Sequence, residues 1–371
     1  MKQPVQVHPV LAIEHNRPLA GLTTIGLGGP ARFVATCTTV GHIREAVNFA
    51  GEKGLPLQII GGGSNMIFGD DGFPGLVVRI ALRGISVTEG KLCEVTVAAG
   101  EPWDPFVAFC IDYHLGGVEC LSGIPGLAGA TPIQNVGAYG QEVSDTILRV
   151  SALDRTTLEP VEFPAANCWF GYRKSRFKLE DAGRYIVTAV TFGLQKHAAP
   201  VVRYAELRKK LESDGATLPP GRPGLLAVRT AVLDLRRKKS MVLEVTDPNS
   251  RSVGSFFVNP VISTGLFASL QNQWARAGHT DPVPSFPSAP GVKVPAGWLV
   301  EHAGFPRGFR LGGVGISENH ALALVNYSGT TDELLGLARQ IQRAVHDTFG
   351  IMLEPEPVIV RSPSILPPNP V

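Results

Sequence analysis

Two glycine-rich stretches hold the residues whose types and spacing could do chemistry. In the first, the apolar run Leu57 to Ile60 enters Gly61-Gly62-Gly63-Ser64-Asn65. Three glycines let a backbone fold so that successive N–H groups converge on an anion, and Ser64 and Asn65 add side-chain donors. No Gly-Lys-Ser/Thr follows, so this is not a P-loop; a plain tight turn fits the same residues equally well. The second runs from Ser122-Gly123-Ile124-Pro125-Gly126 through Gly129-Ala130-Thr131-Pro132-Ile133-Gln134-Asn135-Val136 to Gly137-Ala138-Tyr139-Gly140. Its glycines permit close approach, and Thr131, Gln134 and Asn135 offer hydrogen bonds. Such a lining suits a planar ligand with polar edges and a pyrophosphate, and a purely structural loop of this length is uncommon in a compact domain. Gly26-Leu27-Gly28-Gly29-Pro30-Ala31 has the glycine spacing of a dinucleotide fingerprint, but Pro30 and a strand-like Arg32 to Cys37 follow in place of a helix, so it reads as a turn. Arg173 in Phe-Gly-Tyr-Arg-Lys-Ser, Ser255 in Gly-Ser-Phe-Phe-Val-Asn-Pro and Glu356 in Leu-Glu-Pro-Glu are polar residues that composition alone reads as structural. The nine histidines include no HExxH and no close pair at metal spacing, and there is no G-x-S-x-G elbow. No metal site is expected.

Periodicity supplies the elements that must hold these residues. Strands are expected over Arg32 to Cys37, Leu57 to Ile60, Gly75 to Ile80 and Cys93 to Ala99, and near 147–153 and 185–194. Helices are expected over Ile43 to Lys53, closed by Gly54, and around Trp103, Phe106, Val107 and Cys110. Past residue 195, Leu225, Val228, Val232 and Leu235 mark a helix entered after Pro223. Phe267, Leu270 and Trp274 mark another, stopped near Gly278. Residues 281–297 read as a Pro/Gly loop, Ala321 to Val325 as a strand, and Leu334 to Val345 as a helix ended by Gly350. A last strand at Pro357 to Val360 precedes a proline-rich tail expected to fray.

Composition bounds the function class. The chain has 371 residues, 44% hydrophobic and 18% charged, enough for two or three domains with real cores and unlike a disordered chain. A net charge of +2 leaves no nucleic-acid or membrane footprint. Five widely spaced cysteines, with no CxxC, argue against a disulfide framework. The N-terminus lacks the apolar stretch of a signal peptide, so a soluble, reduced, cytosolic protein is expected. Two stretches carry no Asp, Glu, Lys or Arg: Cys120 to Gln141 and Ser252 to Ala275. Both are long enough to span a bilayer. Their Gly, Pro, Gln and Asn suit contact with a ligand better than lipid, or an ordinary buried core segment.

The combination and its order resemble the UDP-N-acetylenolpyruvoylglucosamine reductase family, from about Asn16 to Val360. The matching pieces are Thr23 to Gly29, Gly61 to Asn65, Ile124 to Gly140, Phe170 to Ser175, Gly254 to Pro260, Val294 to Leu299 and Leu353 to Glu356. Tyr204, in Val-Arg-Tyr-Ala-Glu-Leu, resembles the substrate-covering tyrosine of the longer subclass. Val258 departs from the family, which often has Lys or another polar residue there, and Ser240 stands where Gly is common.

The resemblance implies an α+β protein: a two-part FAD-binding region of the vanillyl-alcohol-oxidase type plus a C-terminal α+β substrate-binding domain. Residues 1–84, with 348–371 packing on them, would form the first flavin-binding part, 85–215 the second, and 225–345 the substrate domain. FAD would be non-covalent, because no His or Cys stands in 61–65 or 122–140. The implied cofactor contacts are Gly61, Gly62, Gly63, Ser64, Asn65, Ile124, Pro125, Gly126, Gly129, Ala130, Thr131, Gln134, Gly137, Ala138, Tyr139 and Gly140. NADPH would give hydride to the flavin, and the flavin would pass it to the enolpyruvyl ether of a UDP-sugar. Arg173 would hold the carboxylate, Ser255 would donate the proton, and Glu356 would be an electrostatic or acid partner. Tyr172, Tyr204, Lys239, Asn259 and Lys293 would bind substrate. The small-molecule substrate and NADPH are the implied partners, with no obligate protein partner. A flavin oxidase of the same superfamily that uses oxygen, and a non-catalytic flavin or nucleotide-sugar regulator, are the rival readings.

Overall fold

Cys93–Ala98 alternates buried and half-buried side chains along its length, the period-two pattern of a strand with one face on a core. It pairs antiparallel with the long strand Tyr185–Lys196, which pairs in turn with Ile147–Asp154. Pro160–Pro164 and Ile85–Thr88 close the two edges, and Leu115–Gly116 adds at the far end of 185–196. A second sheet orders Ile13–Pro18, Pro30–Cys37, Phe73–Ile80 and Leu57–Ile60. Its last three strands run parallel, with helix α1 (Val40–Glu52) connecting two of them. Thr39 caps α1 by accepting from the His42 N–H, which starts the helix three residues before the apolar stripe suggested. Helix α2 (Trp103–Asp112) buries Trp103, Phe106, Val107 and Cys110, the four expected positions. These elements share one core, in which Leu76, Val78, Val95, Val97, Trp103 and Phe106 are sealed from water.

The computed structural model describes residues 10–361, in two units. The first takes the chain up to residue 17, then 31–62 and 73–237; the second takes 18–30, 63–72 and 238 onward. The proline-rich tail lies outside the described residues, apart from Arg361. The first unit also holds α3 (Ala205–Ser213) and α4 (Arg222–Lys238). The periodicity reading missed α3. Leu207 and Leu211 stand one turn apart and pack with Val228, Val232 and Leu235 of α4, so packing of this narrow stripe adds to the strong helix formers of Ala-Glu-Leu-Arg-Lys-Lys-Leu-Glu.

In the second unit, Ser252–Ser255, Ala323–Asn326, Val314–Ile316 and Arg310–Leu311 form an antiparallel sheet. A smaller sheet orders Val261–Ile262, Gly291–Lys293 and Phe286–Ser288. The last two strands, and the start of α6, correct the loop expected over 281–297. Gly291 makes the pairing possible, since a Cβ there would lie 2.1 Å from the Ile262 carbonyl oxygen. Val358–Val360 runs parallel to Met66–Phe68. Helices α5 (Thr264–Arg276), α6 (Ala296–His302) and α7 (Thr331–Phe349) complete the unit. A capping box between Thr330 and Glu333 starts α7, and Gly350, at φ +68°, ends it.

All five cysteines are free and buried. Burial pushes the Cys37 thiol up to about 12, with Glu45 adding to it. Burial likewise raises Cys168 to about 11 against the pull of Arg176, and it raises Cys110 and Cys120. Thiolates react and thiols do not, so the folded protein should be nearly silent to a thiol reagent at pH 8. Denaturation without reductant should release five titratable thiols; fewer would reveal a bridge.

Candidate active site

Gly61 and Gly62 of the first glycine stretch meet the second stretch inside the first unit. A Cβ on Gly62 would sit 2.9 Å from the Cα of Gly126, and one on Gly61 would touch Leu127 at 3.5 Å. Residues 126–129 are tied to the end of a strand: Trp103 N–H donates to the Gly126 carbonyl, Ala128 N–H to Glu101 and Gly129 N–H to Ala99, all at 2.9–3.0 Å. Gly129 is packed so tightly that its Cβ would lie 2.4 Å from that of Ala99. Ile124 packs on the core of this unit, and Ala130 is exposed. Thr131 is buried, with its hydroxyl donating to the Ala128 carbonyl at 2.8 Å, so its side chain is committed to the loop itself. Gly137–Ala138 pairs with Gln141–Glu142 around a two-residue turn in which Tyr139 and Gly140 both take positive φ, +49° and +82°.

The Phe-Gly-Tyr-Arg-Lys-Ser motif is clasped to this loop by three hydrogen bonds. Asn135 Nδ2 donates to the Gly171 carbonyl at 3.1 Å, Arg173 Nη2 to Gly137 at 3.0 Å, and Ser175 Oγ to Ile133 at 2.6 Å. Gly171 and Lys174 exchange backbone hydrogen bonds, which puts Tyr172 and Arg173 at the tip of a tight turn. Arg173 takes φ +56°, a conformation that costs a non-glycine residue energy and is found most often at functional sites. Asn135 is itself buried and left-handed. It also donates to Glu142 Oε2 at 2.7 Å and accepts from the Ser144 N–H at 3.1 Å. The sequence offered Asn135 as a ligand contact; the structure commits it to holding the loop.

Tyr204 precedes α3 and meets Tyr139 edge to face, 5.5 Å between ring centres. Gly140 lies against Arg203, where a Cβ would come within 3.0 Å. Burial pushes the Tyr139 phenol up to about 12, opposed by Arg236 and helped by Glu206 and Tyr204. Burial, then Glu206, raises Tyr204.

Residues invisible to motif reasoning hold the loop at both ends. Buried Glu119 accepts from the Gly117 N–H and from Gln141 Nε2, and Gln141 Oε1 accepts from the Cys120 N–H. The only signal in the sequence was that Glu119 immediately precedes the first uncharged stretch and Gln141 is its last residue. Asp104 and Arg229 form a two-pronged ion pair at 2.6 and 2.7 Å, and Asp104 also accepts from Gly123. Arg236 is half-buried beside them, and the loss of solvent around its guanidinium pulls its pKa below the arginine range against Tyr139 and Asp104.

In the second unit Gly63 continues the turn. Its φ is +64°, and a Cβ would strike the Leu22 carbonyl oxygen at 2.0 Å. Thr24 N–H donates to the Gly63 carbonyl, so the Thr-Thr-Ile-Gly-Leu-Gly-Gly motif braces the glycine turn. Asn65 is bound to the C-terminal strand: its carbonyl accepts from Val358 N–H, and its side chain donates to the Glu356 carbonyl. The segment 354–356 pairs with 256–258: Glu356 N–H donates to Phe256, and Val258 N–H to Glu354. Ser255 and Glu356 therefore lie on neighbouring backbone segments, with Asn65 on the far side of Glu356. A bulge at Gly254, φ +77°, sets the backbone at Ser255. Asn259 Oδ1 accepts from the Ala296 N–H at 2.9 Å and starts α6, while Lys293 pairs with Val261. Lys239 follows α4, next to Ser240, whose hydroxyl accepts from Asn319. Among the described residues there is no metal-ligand cluster, and no helix is long and apolar enough to cross a membrane.

Two family models match the chain: an FAD-binding domain over residues 31–157, and the C-terminal domain of UDP-N-acetylenolpyruvoylglucosamine reductase over 247–360. The reductase of Thermobifida fusca is 46% identical over 353 residues, covering 93% of this chain and 97% of that one. That of Streptomyces coelicolor is 47% identical over 352 residues, 93% and 90% of the two chains. The chain belongs to the UDP-N-acetylenolpyruvoylglucosamine reductase family. The solved reductase from Thermus caldophilus has the same fold, with a TM-score of 0.64 at 23% identity over 95% of this chain and all of that one. The expected α+β fold, with an FAD-binding region followed by a reductase C-terminal domain, holds. The first match contains both glycine stretches; the second contains Ser255, Asn259, Lys293 and Glu356. Tyr172, Arg173, Tyr204 and Lys239 fall between them and are spanned only by the whole-chain relatives.

Asn135→Ala should destabilise the protein by about 2–4 kcal/mol, from lost buried hydrogen bonds and a side chain that tolerates positive φ less well. Urea unfolding of the apoprotein measures this. A loss under about 0.5 kcal/mol would mean that the clasp does not hold the loop.

Proposed function

We propose that this protein reduces the enolpyruvyl ether of UDP-N-acetylglucosamine to UDP-N-acetylmuramate with NADPH and non-covalent FAD. The reaction serves peptidoglycan precursor synthesis in the cytoplasm, and through it cell shape and division. Membership of the reductase family over 93% of the chain carries the reading. The residues fit the flavin: bare glycine backbone at Gly61, Gly62, Gly63, Gly126 and Gly129, a hydroxyl and an amide at Ser64 and Asn65, and no carboxylate between Cys120 and Gln141 to repel a diphosphate. Held by these two glycine stretches, FAD would supply the hydride-transfer chemistry that links NADPH to the methylene carbon of the enolpyruvyl group.

The protein's own work is at the neighbouring carbon. Negative charge grows there beside a carboxylate, so preorganised donors are needed. Arg173, with its guanidinium donors on a turn locked to Gly137, holds that carboxylate. Ser255 gives its hydroxyl proton to the carbon, and Glu356 is its electrostatic or acid partner. Tyr172, Lys239 and Lys293 bind the diphosphate, uridine or sugar. Asn259, whose oxygen is committed to Ala296, contributes its amide N–H groups. Tyr204 covers the bound substrate. As functional parts, residues 1–84 with 348–371 and residues 85–215 bind flavin, and 225–345 bind substrate; the pairing of 358–360 on 66–68 supports the first grouping.

The purified protein should be yellow and release FAD on acid precipitation; a folded, colourless protein that cannot be reconstituted would overturn the reading. Ser255→Ala should keep FAD and its reduction by NADPH, while flavin reoxidation by the enolpyruvyl sugar slows by roughly 10²–10⁴. Stopped-flow traces of each half-reaction decide, and normal reoxidation would remove Ser255 from the role. Tyr204→Phe should raise the dissociation constant for the sugar and leave flavin reduction untouched; equal affinity would reject that contact.

A further inference from the structure

We propose that Asp104 is a positioning residue for the flavin-binding loop 122–140, anchoring its first turn to α2 and α4 through Gly123 and Arg229. The proposal rests on the reading of that loop as a flavin cradle.

Asp104 lies in the first turn of α2, where the helix dipole favours a negative charge. One carboxylate oxygen accepts from the Gly123 N–H at 2.5 Å and from Arg229 Nη1 at 2.6 Å; the other accepts from Arg229 Nη2 at 2.7 Å. A charged carboxylate with three short donors is a strong and directional anchor. Burial alone would raise its pKa, but the Arg229 hydrogen bonds, the Gly123 N–H and the charges of Arg229 and Arg236 together hold it below the usual aspartate range. Gly123 takes φ +72° and rests directly on α4, where a Cβ would lie 2.7 Å from Leu233 Cδ2 and 3.3 Å from Arg236 Nε. Glycine at 123 is thus required for the seat, and Asp104 holds it there.

The consequence lies three residues on. Gly126 is the point that meets Gly62, so a shift of Gly123 moves one glycine stretch against the other. An error of about 1 Å in such a constellation is enough to cost roughly 100-fold. Asp104 need not touch the ligand; it fixes the spacing of the backbone that does.

FAD titrations of apoprotein, followed by quenching of flavin fluorescence, test this with a readout other than turnover. Asp104→Asn keeps the shape but loses the charge, and should raise the FAD dissociation constant roughly 10- to 100-fold. Arg229→Gln should do the same, and the double variant should be no worse than the weaker single one, because both remove one anchor. A purely structural role would lower the apoprotein melting temperature and leave the dissociation constant of the folded protein alone. A constant within twofold of wild type in folded Asp104→Asn overturns the proposal, as do losses that multiply in the double variant. If Asp104→Asn does not fold, Arg229→Lys, which keeps the charge but not the fork, should still weaken FAD at least fivefold; unchanged affinity overturns the proposal equally. Wild-type apoprotein that fails to bind FAD would sink the flavin reading itself, a result distinct from either of these.

Discussion

The approach of Gly62 to Gly126 is the constraint on which the first unit depends. Two backbones pass where a single methyl group would lie 2.9 Å from a Cα, so no side chain is allowed and the approach must be held from behind. That need accounts for much of what surrounds it. The parallel strand Leu57–Ile60 delivers Gly61 and Gly62 at a fixed height. The hydrogen bonds of 126–129 to 99–103 fix the other partner to a strand end and the start of α2. Asp104 with Arg229 grips the loop's entry, Glu119 with Gln141 closes its neck, and Asn135 pins its middle. A loop without regular structure becomes rigid because its polar groups are bonded to elements that have it.

The second unit meets a similar demand with backbone pairing. Gly63 is forced against Leu22, and Asn65 is tied to the C-terminal strand. Residues 354–356 then carry that strand past Phe256–Val258. The glycine turn, Glu356 and the Ser255 strand are thereby coupled by main-chain hydrogen bonds, which are insensitive to side-chain substitution. Phe256 and Phe257, both fully buried, anchor the strand in the core, so Ser255 is positioned by its neighbours' packing and by the bulge at Gly254. The motif Gly-Ser-Phe-Phe thus has one residue that bends the strand and two that hold it down, with Ser255 set between them.

Elements with a long apolar stripe were legible in the sequence. Helices α1, α2, α4, α5 and α7 follow it, and caps such as Thr39 moved only their ends. The glycine stretches and the ordered motifs were also legible, because backbone close approach demands a residue type that composition displays. Helix α3 and the 286–293 hairpin were not. Each is short and shows at most two apolar positions to a periodicity reading, and each is completed by a partner elsewhere: α4 packs on Leu207 and Leu211, and Val261–Ile262 pairs with Gly291–Lys293. Asp104, Glu119 and Arg229 were invisible for the same reason. An ion pair across 125 residues leaves no local pattern, and one aspartate in a helix looks like any other.

Backbone strain joins these observations. Asn135, Tyr139 and Arg173 all take left-handed φ, and all belong to the loop or to the motif clasped on it. Asparagine pays little for this conformation; tyrosine and arginine pay more. Glycine would remove the cost at each position but would also remove the side chain. At Ser240, where the resembling family commonly has glycine, φ is +54°, and the serine hydroxyl accepts from Asn319. That bond partly offsets the conformational cost and accounts for tolerance of a side chain there. At Arg173 the guanidinium is bonded to the same loop that the strained turn abuts. Strain and hydrogen bond therefore oppose each other in one residue, and the turn persists because the clasp around it is worth more than relaxation. Arginine at 173 thus keeps on the turn a guanidinium that glycine could not supply, at the cost of a strained backbone.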